Sequence, residues 1–321
     1  MKKYDVVALG ELLVDFTENG VSPQGNLLLE ANPGGAPCNV LAMLNNLGRK
    51  TAFIGKVGKD SFGEMLVDAV KSSGTDVKNV IMDSDVPTTL AFVHTMPDGD
   101  RDFTFYRNPG ADMMLKKEEV MEEVIKDARI FHFGTLSSTH QGVREATRYA
   151  IRVAKENGVM VSFDPNLREP LWDSLEDARR EIEYGLSQCD ILKISDNELE
   201  FMTGTTDYTK GVAILKEHYS IPLIFVTLGK HGSRAYYKDM VVEAKPFLQE
   251  NTIETTGAGD TFEGCALNYV LEHGVEDLSG KELEELLIFA NAGASIITTR
   301  KGALKVMPKE EEIRKLMAMG S

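Results

Sequence analysis

Residues 254–262 read Glu-Thr-Thr-Gly-Ala-Gly-Asp-Thr-Phe. Two glycines flank a small alanine where a helix is expected to begin. With side chains nearly absent, the N–H groups of Gly257, Ala258 and Gly259 can approach an anion closely, and a helix N-terminus adds partial positive charge. Asp260 is awkward in such a turn unless it works as a base beside a transferring group. It is equally an acid in a first helical turn, where negative charge is welcome. On this segment alone both readings stand.

Outward from that turn, short apolar runs alternate with amphipathic stretches. Strands are expected over 6–9, 52–57, 130–133, 159–164, 191–194 and 223–227, and their near-continuous hydrophobicity suits strands covered on both faces. Helical spacing runs through 40–47, 140–157, 174–187 and 207–218, with two long helices after Gly257 and Lys281 and an amphipathic segment near 309–318. Repeated βα units predict an α/β fold, a doubly wound, mostly parallel sheet with helices on both faces and ligands at the carboxyl ends of its strands. With no linker or repeat, 1–321 reads as a single domain. Residues 86–108 break the rhythm as a hairpin turning at Asp98–Gly99. Together with the strand-like run at 26–30 it predicts a small β-ribbon, with lid segments at about 15–31 and 86–108, serving as a lid, a dimer contact or both.

The 321 residues are 42% hydrophobic and 26% charged, enough for a large core, and 35 basic against 50 acidic residues leave −15. That field opposes nucleic acid and anionic membrane as partners. No apolar run nears the roughly 18 residues of a membrane span. Cys38, Cys189 and Cys265 lie far apart without a CxxC, which suits a reducing compartment. The start, MKKYDVVALGELLVDF, reads as a buried strand and not a signal peptide, so the expectation is a soluble cytoplasmic protein. A GxxxxGK[ST] loop, a GxGxxG fingerprint, HExxH and GxSxG are all missing from the sequence, which argues against Walker NTPases, dinucleotide oxidoreductases, zinc enzymes and serine hydrolases.

A second cluster, Pro33-Gly34-Gly35-Ala36-Pro37-Cys38-Asn39, lets a ligand approach the backbone at Gly34 and Gly35. Asn39 adds a donor and an acceptor suited to a hydroxyl-rich ligand; it also reads as a helix N-cap. Arg168, in an Asp-Pro-Asn-Leu-Arg turn, is a cation for a substrate or a salt-bridge partner. Ser195-x-x-Glu198 is a capping box. Asp15 reads as a capping acid or a ligand.

Together, the segments GGAPCNVLAMLNNLGRKTAFIGKVGKDSFG (34–63) and TTGAGDTF (255–262) resemble the two signatures of the ribokinase-like (PfkB) carbohydrate kinases. The resemblance spans the chain, through Gly10-Glu11 with Asp15, FYRNPGAD at 105–112, Ser195–Glu198 and Thr227–Gly232. TTLAFV (88–93), DPNLREPLW (164–172) and TRKGA (299–303) look most like fructokinases. What the resemblance implies is an ATP-dependent kinase acting on a sugar's primary hydroxyl, fructose to fructose 6-phosphate. Asp260 would be the base, the amides of Gly257, Ala258 and Gly259 the anion hole, and Arg168 a cation at the transferred group. Asp15, Gly34, Gly35 and Asn39 would hold the sugar, covered by Phe92, Phe103 and Arg107 from the lid. Lys193, Thr227, Gly229, Gly232 and Asn291 would serve the nucleotide, with Gly302 near the adenine. Asn197 and Glu198 would hold Mg²⁺ through water. Glu254 stands where the family has Asp in a monovalent-cation site, its carboxylate displaced by about one carbon–carbon bond, so K⁺ activation is an open expectation. The expected partners are the sugar, ATP and a second copy meeting through the lid. Two alternatives are a 2-keto-3-deoxygluconate kinase, with Arg107 and Arg168 as a carboxylate clamp, and a catalytically inactive sugar-binding regulator.

Overall fold

Strand β1 (Tyr4–Leu9) shows how the core is divided. Val6 and Ala8 point to one face and Val7 and Leu9 to the other, and each set enters a different buried cluster. Each buried valine or leucine among them contributes about 1.5–3 kcal/mol by leaving water. A continuous apolar run therefore makes a strand covered on both sides, as expected for parallel β structure.

The computed structural model describes residues 2–95 and 101–319. The remaining strands are β2 (Leu13–Val21), β3 (Leu27–Gly34), β4 (Thr51–Gly58), β5 (Asp76–Asp83), β6 (Leu90–Thr95), β7 (Arg101–Tyr106), β8 (Ala128–Gly134), β9 (Met160–Asp164), β10 (Ile191–Ser195), β11 (Leu223–Thr227), β12 (Ser233–Tyr237) and β13 (Met240–Ala244). The helices are α1 (Ala36–Asn46), α2 (Ser61–Ser72), α3 (Glu122–Lys126), α4 (Gln141–Glu156), α5 (Leu175–Gln188), α6 (Asp196–Thr203), α7 (Tyr208–His218), α8 (Ala258–His273), α9 (Gly280–Ile297) and α10 (Glu310–Met319). The larger sheet has the order β13-β12-β11-β10-β9-β8-β1-β4-β5, parallel from β11 to β5, with β12 and β13 added antiparallel. Buried residues of α1, α2, α8, α9 and α10 join the cluster on one face; those of α3 to α7 join the other. Every strand expected from the sequence forms. The pattern did not flag β5, α2 or the β12–β13 hairpin; β5 and β13 are only partly buried, and β12, though mostly buried, carries Ser233 and Arg234.

The smaller sheet has the order β3-β2-β6-β7. It contains both expected ribbon segments. The strand after β1 starts at Leu13, so Asp15 lies within β2 and is not a cap following the first strand. The Asp98–Gly99 turn lies outside the described residues. Among the described residues no helix is long and apolar enough to cross a membrane.

Candidate active site

Parallel strands β1, β8, β9, β10 and β11 all end on one edge of the larger sheet, and the residues just past those ends converge there. Two hollows open along this edge, meeting at Thr255 and Gly259. The N-terminus of α8 stands between them.

The first hollow, about 330 Å³, is lined by charged and polar groups, among them Glu11, Asp15, Asn39, Arg168, Lys193 and Asp260. Asp260 sits in the first turn of α8 and is buried. Burial pushes its carboxyl up to about 6, against the opposing pull of Asn39, whose Nδ2 donates to Oδ2 at 2.7 Å. Asn39 is the fourth residue of α1, so it is not the N-cap; Gly35 is, at φ 128°. Helical phase then aims Asn39 inward across to α8. Asn39 is only 4% exposed, and its Oδ1 has no protein donor. The N-terminus of α1 is capped instead from the β1–β2 connection: Glu11 Oε1 accepts the Ala36 N–H at 2.8 Å. Burial raises the Glu11 carboxyl to about 7.

Gly34 and Gly35 carry steric requirements. A Cβ on Gly34 would stand 2.1 Å from Asp15 Oδ2, and one on Gly35 would stand 2.4 Å from the Glu11 carbonyl oxygen. The Lys193 ammonium, supplied by β10, donates to Asp164 Oδ2 at 2.8 Å and lies 3.0 Å from where a Cβ on Gly259 would be. Burial works against its charge, but Asp164, Glu198 and Asp260 outweigh it and raise its pKa. A permanent cation thus lies beneath the glycine turn. Gly257 adopts φ 75°, which suits glycine, and a Cβ there would strike Ala303. Of the three expected amides, that of Ala258 is turned onto Thr255 O at 3.2 Å; those of Gly257 and Gly259 lie at the helix start, where no intrahelical acceptor is available.

The second hollow, about 310 Å³, is mostly apolar. Thr227, Gly229, Gly232 and Asn291 line it as expected, with Pro246, Phe247 and Leu248 from the segment after β13 and Ala294 and Thr298 from the α9 end. Gly232 is at φ 95°, and a Cβ would meet the Ala244 carbonyl oxygen at 2.2 Å. The Asn291 amide is fully engaged, taking the Ser233 hydroxyl at 2.8 Å and donating to the carbonyls of Ala244 and Lys245. It braces β13 against α9.

Several expectations are corrected. Arg107 does not cover the first hollow: its guanidinium is buried on Asp112 at 2.7 Å, with further bonds to Thr139 and the Leu136 carbonyl. An Arg107–Arg168 clamp therefore does not form. Phe92 faces away, because cross-strand partners share a face. Phe16, Phe92 and Thr104 are in register on one face, Asp15, Ala91 and Phe105 on the other. Phe92 stacks on Phe16 with centroids 5.0 Å apart, and Phe105 lines the hollow in its place. Phe103 is opposite Val93 in β7, and its side chain lies outside the described residues. Asn197 is exposed and lines neither hollow. Glu198 forms the capping box with Ser195, and its other oxygen takes the Leu167 N–H at 2.7 Å, anchoring the loop that carries Arg168. Glu254 accepts the Gly302 N–H at 2.8 Å, so Gly302 belongs to that clip and not to the apolar slot. Sequence reading missed Leu13, Asn166 and Phe105 in the first hollow and 246–252 in the second. Only register could have flagged Phe105; the 246–252 segment has no motif.

A family model described as pfkB family carbohydrate kinase matches residues 3–310. A probable fructokinase-2 of Arabidopsis thaliana is 42% identical over 309 residues, 96% of this chain and 94% of that protein. A fructokinase-1 of Oryza sativa subsp. japonica is 42% identical over 314 residues, 97% of each chain. A crystal structure of a fructokinase with bound ATP from Xylella fastidiosa superposes with TM-score 0.89 at 29% identity, over 100% of this chain and 99% of that one.

Proposed function

The chain belongs to the pfkB family of carbohydrate kinases, and from that premise we propose that its polar hollow takes fructose and its apolar slot the adenine side of ATP. It is a sugar phosphotransferase. Relatives named fructokinase at about 40% identity along the whole length support fructose as the acceptor. So does a Vibrio cholerae O395 fructokinase variant described in fructose-, ADP- and potassium-bound form, similar at TM-score 0.87 and 28% identity over 99% of each chain.

The observation that carries the sugar assignment is Asn39 Oδ1, a buried acceptor at the hollow without a protein donor. Such an atom costs free energy unless a ligand donor meets it, and a sugar hydroxyl is a donor. The same amide's Nδ2 holds Asp260, so the hydroxyl it receives is brought beside the base. Asp260, largely ionised at neutral pH, accepts the proton of the sugar's primary hydroxyl as that oxygen attacks the γ-phosphorus. The bond to the β,γ-bridging oxygen breaks and ADP leaves. Charge on the transferring group meets the amides of Gly257 and Gly259, the Lys193 ammonium and Arg168. Asp15, held against Gly34, takes further hydroxyls.

Magnesium accompanies the nucleotide in this scheme, held chiefly by its phosphates and water. Glu198 has both oxygens on protein donors, and among the described residues no three His, Cys, Asp or Glu side chains cluster as metal ligands. Potassium near Glu254 is carried as one arm of the assay. The smaller sheet exposes Val21 and Leu27 at one end and Tyr106 at the other and is the proposed seat of a second copy; light scattering reading one 35.4 kDa chain would exclude it.

The test is ADP release with Mg-ATP over a panel of sugars, with and without potassium. Fructose should dominate. A 2-keto-3-deoxygluconate preference would reassign Arg168 to its carboxylate, and no turnover on any sugar would favour a sugar-binding regulator.

A further inference from the structure

Below the catalytic turn lies a polar group that the transfer scheme does not use. Glu263 follows Asp260 by three residues on α8, on the same side of the helix, and has no exposed surface. One carboxyl oxygen accepts the Ser162 hydroxyl at 2.6 Å; the other has no partner. Ser162 in turn lies 3.0 Å from Nδ1 of buried His132, which is 3.9 Å from the Glu263 carboxyl. The groups facing this acid are His132 from β8, Ser162 and Asp164 from β9, Lys193 from β10 and Asp260 from its own helix. His132 is kept neutral: burial, with Lys193 adding to it, lowers its pKa to about 3. The nearby cation is therefore Lys193, with Asp164 already on it at 2.8 Å.

An ionised Glu263 would be a fourth carboxylate around that ammonium, after Asp164, Glu198 and Asp260, with one oxygen buried and unmatched. We propose that Glu263 serves the phosphoryl-transfer site as a neutral carboxylic acid, so that Lys193 is opposed by Asp164, Glu198 and Asp260 without a further carboxylate and stays available to an incoming phosphate. The geometry disfavours the ionised form: the Ser162 hydroxyl donates to one oxygen, but the other is buried with no donor to offset a negative charge. Burial, with Asp164 and Asp260 adding to it against the Ser162 bond, raises this carboxyl to about 8. The proton is released to solvent only in alkaline conditions, and the charge then falls on the phosphate side. Glu263 touches no substrate; it is a positioning residue that sets the charge facing the phosphates. The assignment rests on the sugar-kinase reading.

Glu263→Gln mimics the neutral acid and cannot ionise. At pH 7 its kcat and KM for Mg-ATP should match those of the unsubstituted protein within about twofold. From pH 7 to 9 the KM for Mg-ATP of the unsubstituted protein should rise severalfold, and that of Glu263→Gln should stay level. A tenfold loss in the variant at pH 7, or superimposable KM profiles, would overturn the proposal. A merely space-filling role would move neither profile. Unfolding midpoints across pH give a readout that needs no turnover. Because the folded pKa lies above that of a free carboxyl, the stability held by the proton is present at low pH and lost as pH rises towards about 8. The Gln variant should therefore gain on the unsubstituted protein between about pH 4.5 and 8. Inactivity on every sugar with this gap present would sink the kinase reading and keep the neutral acid; activity without the gap would do the reverse.

Discussion

The two hollows at the strand ends are built by opposite means. The polar one is an assembly of buried charges, Asp260, Lys193 and Glu11, each fixed by a partner from another element and each shifted in pKa by its burial or its neighbours. The apolar one is a slot of backbone, glycines and aliphatic faces, in which the polar side chain of Asn291 is used up internally. On the polar side an atom out of place leaves a charge uncompensated, so single changes should be severe. On the apolar side contributions are small, additive and tolerant. Buried charge is worth more per contact than area is, and it costs more when broken.

The largest expected effect is therefore at Asp260. Asp260→Asn removes the proton acceptor and keeps the shape, and kcat should fall by about 10²-fold or more with the unfolding midpoint little changed. Near-normal turnover by that variant would remove Asp260 from the base role. The same group sets the acid limb. Its pKa of about 6 lies above that of a free carboxyl, so below pH 6 it is protonated and kcat/KM should drop about tenfold per pH unit. A profile flat down to pH 5 would contradict this.

Next is Gly34→Ala. Its Cβ would enter the space of the Asp15 carboxylate, which must then swing out of position. A rise of about tenfold in KM for the sugar, equivalent to about 1.4 kcal/mol, with KM for ATP unaffected, is the expected split. Equal shifts in both constants would mean that the two hollows are not separable.

How much could be read from the sequence follows the same divide. Six of the nine strands of the larger sheet read correctly because each is nearly continuous in apolar residues, a pattern with few competing explanations. Gly257–Asp260 and Gly34–Asn39 were legible because an anion cradle and a close approach demand glycine next to a particular polar group. Arg107 and Phe92 failed for one reason: residue type names a chemistry but not a direction. The pairing of β2, β6 and β7 turns Phe92 to Phe16 and Phe105 to the hollow, and Asp112, five residues on, captures Arg107. Glu263 gave no signal at all, since an acid inside an amphipathic helix reads as a surface residue until packing puts the strand ends over it. The 246–252 segment was silent because adenine-sized apolar surface can be supplied by almost any side chain.

That silence makes Leu248 the smallest and most discriminating test. It is 74% exposed yet lines the apolar slot, so its side chain waits for a partner from solvent. Covering part of it with a flat apolar ring is worth on the order of 1 kcal/mol at about 25 cal/mol per Å². Leu248→Ser should then raise KM for ATP about fivefold and leave kcat and the sugar's KM within error, measured at fixed saturating sugar. Stability should hold, since an already exposed side chain contributes little to the folded state. Should kcat fall along with KM, the segment would be doing more than offering surface: it would be helping to align the γ-phosphate, and the contrast between a charged, exacting hollow and a permissive apolar one would have to be given up.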